Sequence, residues 1–139
     1  MVIKVNEETC IEEIINGLNM GLIAIDELID KIENEELIRI VEKQKMDYHH
    51  LKEKILKNFP NVEDAVKQKL MLESMIKMKT ILTNDQKIAK MLIEGSNQAI
   101  MTMNHLLNKE KNVNQEIQEY ADAFEDISNH YIEQLKPYV

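Results

Sequence analysis

The stretch Asn34–Asn58, NEELIRIVEKQKMDYHHLKEKILKN, decides the fold. Its apolar or buried-type positions are Leu37, Val41, Gln44, Tyr48, Leu51 and Ile55, alternating steps of four and three. That spacing puts all six on one stripe of an α-helix, while a strand would need alternation every second residue. Charged residues fill the positions between them, so one face is built for a core and the other for water. Asn34 followed by Glu35 and Glu36 has the form of a helix start, because its side chain can accept from the first turn and the acids suit the dipole. Pro60 bars the helix from running past about Asn58.

The same reading extends in both directions. Upstream, Ile11, Ile15, Leu18, Leu22, Ile25, Ile29 and Ile32 form a second stripe. Downstream come Ile88, Leu92, Gly95, Ala99, Thr102 and Leu106, then Ile117, Tyr120, Phe124, Ile127, Tyr131 and Leu135. Further starts are expected at Asn6, Asn61, Thr83 and Asn112; Thr83-Asn-Asp-Gln86 has the capping-box form and Asn112-Val-Asn-Gln115 resembles it. Helices are therefore expected over about 7–32, 34–58, 62–82, 84–108 and 113–136, all within one domain spanning 1–139. Between the first two, the stripe slips by one residue from Ile32 to Leu37, so a single bent helix is a second solution.

Four helices of about 25 residues would each run about 38 Å and match in length. The third segment is shorter and apolar around more of its circumference, with Val66, Leu70, Met71, Met75 and Met78. The simplest arrangement is all-α: an antiparallel four-helix bundle of two hairpins, joined by the third segment as an additional shorter crossover helix. This is the single-crossover, ferritin-like topology. Gly95, Ser96, Ala99 and Thr102 form a small-residue strip where close helix packing is expected to offset the cost of Gly95 in a helix.

Composition narrows the function. The formal charge is −8 and Arg39 is the only arginine, which argues against nucleic acid as a partner. The longest apolar-leaning run, Gly17 to Ile25, is far short of a bilayer span, and Met1–Cys10 has charges where a signal peptide needs an apolar core. No membrane partner and a cytoplasmic location are expected. Cys10 is the only cysteine, and Glu7, Glu8, Glu12 and Glu13 around it oppose a thiolate, so an inert thiol is expected. Ser74, Ser96 and Ser128 have no histidine and acid at a motif spacing, and no glycine-rich phosphate loop occurs, so the chain reads as non-catalytic.

A ferritin-like bundle raises the question of a di-metal centre, which needs inward Glu-x-x-His pairs on two helices. The nearest approach is Asp47-x-x-His50, with Asp26 on a flank of the first helix and His105 at a stripe border. Asp26, Asp47, His50 and His105 are therefore the candidate metal ligands, for iron or manganese at a non-standard site. The alternative is that these are solvated flank residues and that no cofactor is bound. Gln44 is the one amide on a seam, where it must be hydrogen-bonded and fixes register.

Methionine usage points elsewhere. Six of nine methionines lie between Met71 and Met103, and Met71, Met75 and Met78 share a face. Such a face is flexible core, an adaptable surface for a protein partner, a second copy of the chain or an apolar ligand, or three thioethers spaced to bind Cu(I). Lys77 and Lys79 beside it complement the helix C-terminus or make a small basic patch. Met71, Met75, Met78, Lys77 and Lys79 form the expected interaction surface, and the chain reads as an interaction or self-associating module, with a homodimer as one outcome.

The segments Asn19-Met-Gly-Leu-Ile-Ala-Ile-Asp26-Glu-Leu28, Ile76-Lys-Met-Lys-Thr80 and Ile88-Ala-Lys-Met-Leu-Ile-Glu-Gly-Ser96, with Leu106, carry a resemblance. The chain resembles a family of small uncharacterised proteins of Gram-positive bacteria, regarded as ferritin-like helical bundles. The resemblance implies the fold already reached from periodicity and brings no activity with it. The missing Glu-x-x-His pairs depart from ferritin-like enzymes and put iron oxidation or storage in doubt.

Overall fold

A computed structural model describes residues 5–62, 76, 83–110 and 112–139. Among these residues there are four α-helices and no strand: α1 (Val5–Leu28), α2 (Glu35–Asn58), α3 (Asp85–Lys109) and α4 (Gln115–Leu135). Short 3-10 turns follow α1 at Ile29–Lys31 and α4 at Lys136–Tyr138. No helix among the described residues is long and apolar enough to cross a membrane. The expected helix over 62–82 lies outside the described residues, apart from Val62, which is not helical, and Ile76, which is helical and buried. With it go Met71, Met75, Met78, Lys77 and Lys79.

Helices α1 and α2 are separate. The backbone turns extended at Ile32 (ψ 128°) and is still extended at Asn34 (ψ 118°), which ends the 3-10 turn and rules out one bent helix. Asn34 then caps α2, its Oδ1 accepting from Leu37 N–H at 3.1 Å. The other caps differ from expectation. Asn84, one residue after Thr83, caps α3 by accepting from Lys87 N–H at 2.9 Å. Asn114, two residues after Asn112, caps α4 by accepting from Glu116 N–H at 2.7 Å. Asn6 lies within α1. A cap needs extended backbone and a side-chain oxygen two or three residues before an unpaired N–H. Where two Asn or Thr stand close together, the spacing of acids after them does not say which one meets that geometry.

Helix α1 touches all three others, α2 packs on α4, and α3 packs on α4. The buried stripe of α1 is wider than expected, taking in Cys10, Ile14 and Leu28 beside Ile11, Ile15, Leu18, Leu22 and Ile25. All six expected positions of α2 are buried. Helix α3 departs: Ile88 and Leu92 are buried as expected, but the core then takes Ser96, Ile100 and Met103, with Ala99 and Leu106 only partly buried against it and Gly95 and Thr102 exposed. Burying Ile100 and Met103 is worth roughly 1.5–3 kcal/mol each, more than Gly95 or Thr102 could return. The helix rolls accordingly, and Gly95 and Thr102 are left exposed.

Asp85 supplies a tie that its place in the first turn of α3 does not announce. Its two carboxylate oxygens accept from Glu33 N–H and Asn34 N–H, each at 2.9 Å, joining the start of α3 to the α1–α2 turn. At another junction Asn58 donates to Tyr120 Oη at 2.5 Å and to Glu116 at 3.2 Å, fastening the end of α2 to α4.

The roll of α3 gives a direct prediction. A Cβ added at Gly95 meets no atom of the described residues within 4 Å, so the close packing expected there does not occur among them. Gly95→Ala should therefore stabilise the bundle by up to about 1 kcal/mol in urea unfolding, the helix-propensity gain undiminished by a clash. A loss of stability would mean that Gly95 packs more tightly than this.

Candidate binding groove between α1 and α3

The four expected metal ligands are not brought together. Asp26 is exposed and paired with Lys45 at 2.6 Å. Asp47 accepts a hydrogen bond from the Tyr131 hydroxyl. Burial, then the bond to Asp47 and its charge, push the Tyr131 hydroxyl well above the usual phenol range, so it stays a donor to that carboxylate. His50 and His105 are exposed, His105 because the roll of α3 carries it off the stripe border. Among the described residues, no three His, Cys, Asp or Glu side chains group as metal ligands would. Cys10 is buried, and desolvation, then Glu110 and Glu7, raise its thiol pKa, which favours the thiol over the thiolate.

What the fold does assemble is a groove. Two glycines on α1 start it. An added Cβ at Gly17 would stand 3.0 Å from Phe124 Cζ, and one at Gly21 would stand 2.7 Å from Tyr48 Cε2. The two rings, stacked at 5.8 Å between centroids, thus lie directly on the backbone of α1. Opposite them α3 presents Gly95, Ser96 and Ala99, side chains too short to fill the remaining space. The result is a cavity of about 600 Å³ between α1 and α3, with Gln44, Tyr48 and Phe124 lining it from α2 and α4. Ile76 also lines it. That volume lies within the range of small-ligand pockets.

Its described lining mixes the amides of Asn16, Gln44 and Gln98, the hydroxyls of Tyr48, Ser96 and Thr102, and the carboxylates of Glu13 and Glu94. Gln44, 2% exposed, donates through Nε2 to Tyr48 Oη at 3.4 Å. Tyr48 Oη shares a 2.8 Å hydrogen bond with Ser128 Oγ, which is fully buried. Gln44 Oε1 has no partner among the described residues, and neither does Asn16 Oδ1, which also lines the groove. An unpaired buried amide oxygen costs about 1–3 kcal/mol, so the register role expected of Gln44 is met only on its donor side. The charged residues at the groove are Glu13 and Glu94; the described lining holds no Lys, Arg or His. Glu94 lies 4.0 Å from Lys90 Nζ on the exposed face of α3.

Burial raises the Glu13 carboxyl above its ordinary value of 4.5. A raised native pKa means the folded chain holds the proton more tightly, so stability falls as pH rises through that pKa. Glu13→Gln should then raise the melting temperature at pH 7, and the difference should vanish below pH 4.5, where the carboxyl is protonated in both states. A constant difference across that range would mean that ionisation of Glu13 costs the fold nothing.

No family model, no curated protein and no solved structure matches this chain. The groove therefore has to be understood from its own chemistry. Of its polar residues the sequence points to Gln44 as a seam amide, to Tyr48 on the same stripe, and to Ser96 and Thr102 in the small-residue strip. Glu13 and Asn16 stand one turn apart on the flank of α1, and Gly17 and Gly21 four apart are the signal that aromatic rings could lie there.

Proposed function

We propose that this chain is a non-catalytic binding module, an antiparallel ferritin-like bundle that receives an extended, largely apolar partner in the groove between α1 and α3. The topology is supported by pairs that run in opposite numerical order. Asp26 meets Lys45 and Gly21 meets Tyr48 across α1 and α2. Asn58 meets Tyr120 while Tyr48 meets Ser128 across α2 and α4. Asp85 meets Glu33 while the Glu110 charge reaches Cys10 across α1 and α3. On these pairs α2 finishes at one end of the bundle and α3 begins at the other, which supports a ferritin-like long crossover.

The observation that supports the binding reading is a cavity of ligand size with Gln44 in its wall, a buried amide whose Oε1 has no partner among the described residues. Groups of that kind are retained where a ligand completes them or where bound water does. The exposed methionine at the groove edge, Met20, suits an adaptable apolar contact. The test is a neutral fluorescent apolar probe, Nile red, added to the native chain and to Gly95→Leu, whose new side chain enters the groove. Enhanced emission that Gly95→Leu abolishes, in a variant still helical by circular dichroism, supports the reading. Equal emission from both proteins contradicts it.

A further inference from the structure

The described methionines divide by exposure and by place. Met20, Met46 and Met101 are exposed, at 42%, 58% and 66%. Met46 and Met101 are not among the groove residues, whereas Met20 is. Met91 also lines the groove but is half-buried, and Met103 belongs to the core. Met20 is thus the one described methionine that is both open to a dissolved oxidant and part of the groove. Its place on α1 gives it weight there. It stands between Gly17 and Gly21, where the rings of Phe124 and Tyr48 lie against the helix backbone. Neither glycine has a side chain, and the flanking groove residues on α1 are the polar Asn16 and the small Ala24. Over that stretch of about 12 Å, Met20 is the only long apolar side chain that α1 lends the groove.

A thioether is flexible, polarizable and apolar, which suits an apolar occupant of variable shape. It is also a two-electron reductant. We infer that Met20 is an oxidation-sensitive switch on the groove: a peroxide converts its thioether to the sulfoxide, and the groove loses affinity for an apolar occupant. In that step the sulfur lone pair attacks one peroxide oxygen, forming an S–O bond as the O–O bond breaks. The departing hydroxide takes the proton from the transferred oxygen and leaves as water. Sulfur is oxidised by two electrons, the peroxide is reduced, and methionine sulfoxide remains. Its oxygen is a strong acceptor, so an apolar occupant beside it strips away water without replacing the hydrogen bond. The change reverses when the sulfoxide is reduced enzymatically.

This inference rests on the binding reading above, and the experiment separates the two. Nile red affinity would be measured on the full chain before and after hydrogen peroxide. Peptide mass spectrometry would locate each sulfoxide, and circular dichroism would follow the helices. Once Met20 is oxidised, an affinity about tenfold lower is expected, the order of one lost apolar contact. Treatment with methionine sulfoxide reductases should restore it. Met20→Leu should keep its own starting affinity through the same oxidation, while the double variant Met46→Leu/Met101→Leu should lose affinity as the native chain does. Met20→Gln, polar without any oxidation, should bind as weakly as the oxidised native chain. Unchanged affinity of the native chain with Met20 fully oxidised would overturn the inference and leave the groove a binding site. An equal loss in Met20→Leu would also overturn it, by assigning the effect to another methionine. No Nile red binding by the unoxidised native chain would remove the binding reading, and the inference with it.

Discussion

Gly21→Val should destabilise the bundle by about 2–3 kcal/mol, although valine is the better helix former. The Cβ alone would come within 2.7 Å of Tyr48 Cε2, and the branched methyls would press further into the ring. Tyr48 has little room to give way. It is 2% exposed, stacks on Phe124, and its hydroxyl is held by Ser128 on the opposing helix. Overpacking of this kind costs about 1–3 kcal/mol and exceeds the few tenths that helix propensity returns. Urea unfolding would read the change as a lower midpoint at unchanged slope. The same substitution at Gly95 should be nearly neutral, since nothing among the described residues stands within 4 Å of its Cβ. The contrast between two helical glycines is the sharper result, because propensity alone predicts the same sign at both.

Phe124→Ala should cost about 3–5 kcal/mol, the usual loss for a large aromatic truncated in a core. Phe124 is 1% exposed, stacks on Tyr48 and rests on Gly17, so its removal leaves space that neither helix can close without moving the other ring. It also forms part of the groove wall, and its loss would merge groove and core. Equilibrium denaturation with circular dichroism would measure the change. A cost below about 2 kcal/mol would mean that water or a neighbouring side chain fills the space readily, and that the ring is a groove lining more than a core residue.

Much of this was legible in the residues. The stripe of α2 is buried at every expected position because its apolar residues are large and evenly spaced. Helix α3 was harder to read, since Gly95, Ala99 and Thr102 keep the right spacing but offer little apolar area, and Ile100 and Met103 win the core. Helix starts were read to within one or two residues where several capping residues crowd together, as at Thr83 and Asn84. The site was harder still. Carboxylates and histidines draw attention as ligands, yet Asp47 is engaged by Tyr131 and Asp26 by Lys45, partners that lie 84 and 19 residues away. The groove depends on which side chains are too short to meet across α1 and α3, a quantity that no local pattern records. Gln44 carried a signal of its own, as an amide on an apolar seam, but only the packing reveals that its oxygen is left unpaired.

The most direct test of the groove follows the side-chain amide of Gln44 by nitrogen-15 NMR while Nile red is titrated into labelled protein. The account predicts that the Gln44 and Asn16 side-chain amide signals shift together and saturate. The Gln118 amide, which is bonded to Asp122 on α4 and is not among the groove residues, should not move. Shifts confined to surface residues, with Gln44 and Asn16 unmoved at saturating probe, would contradict it.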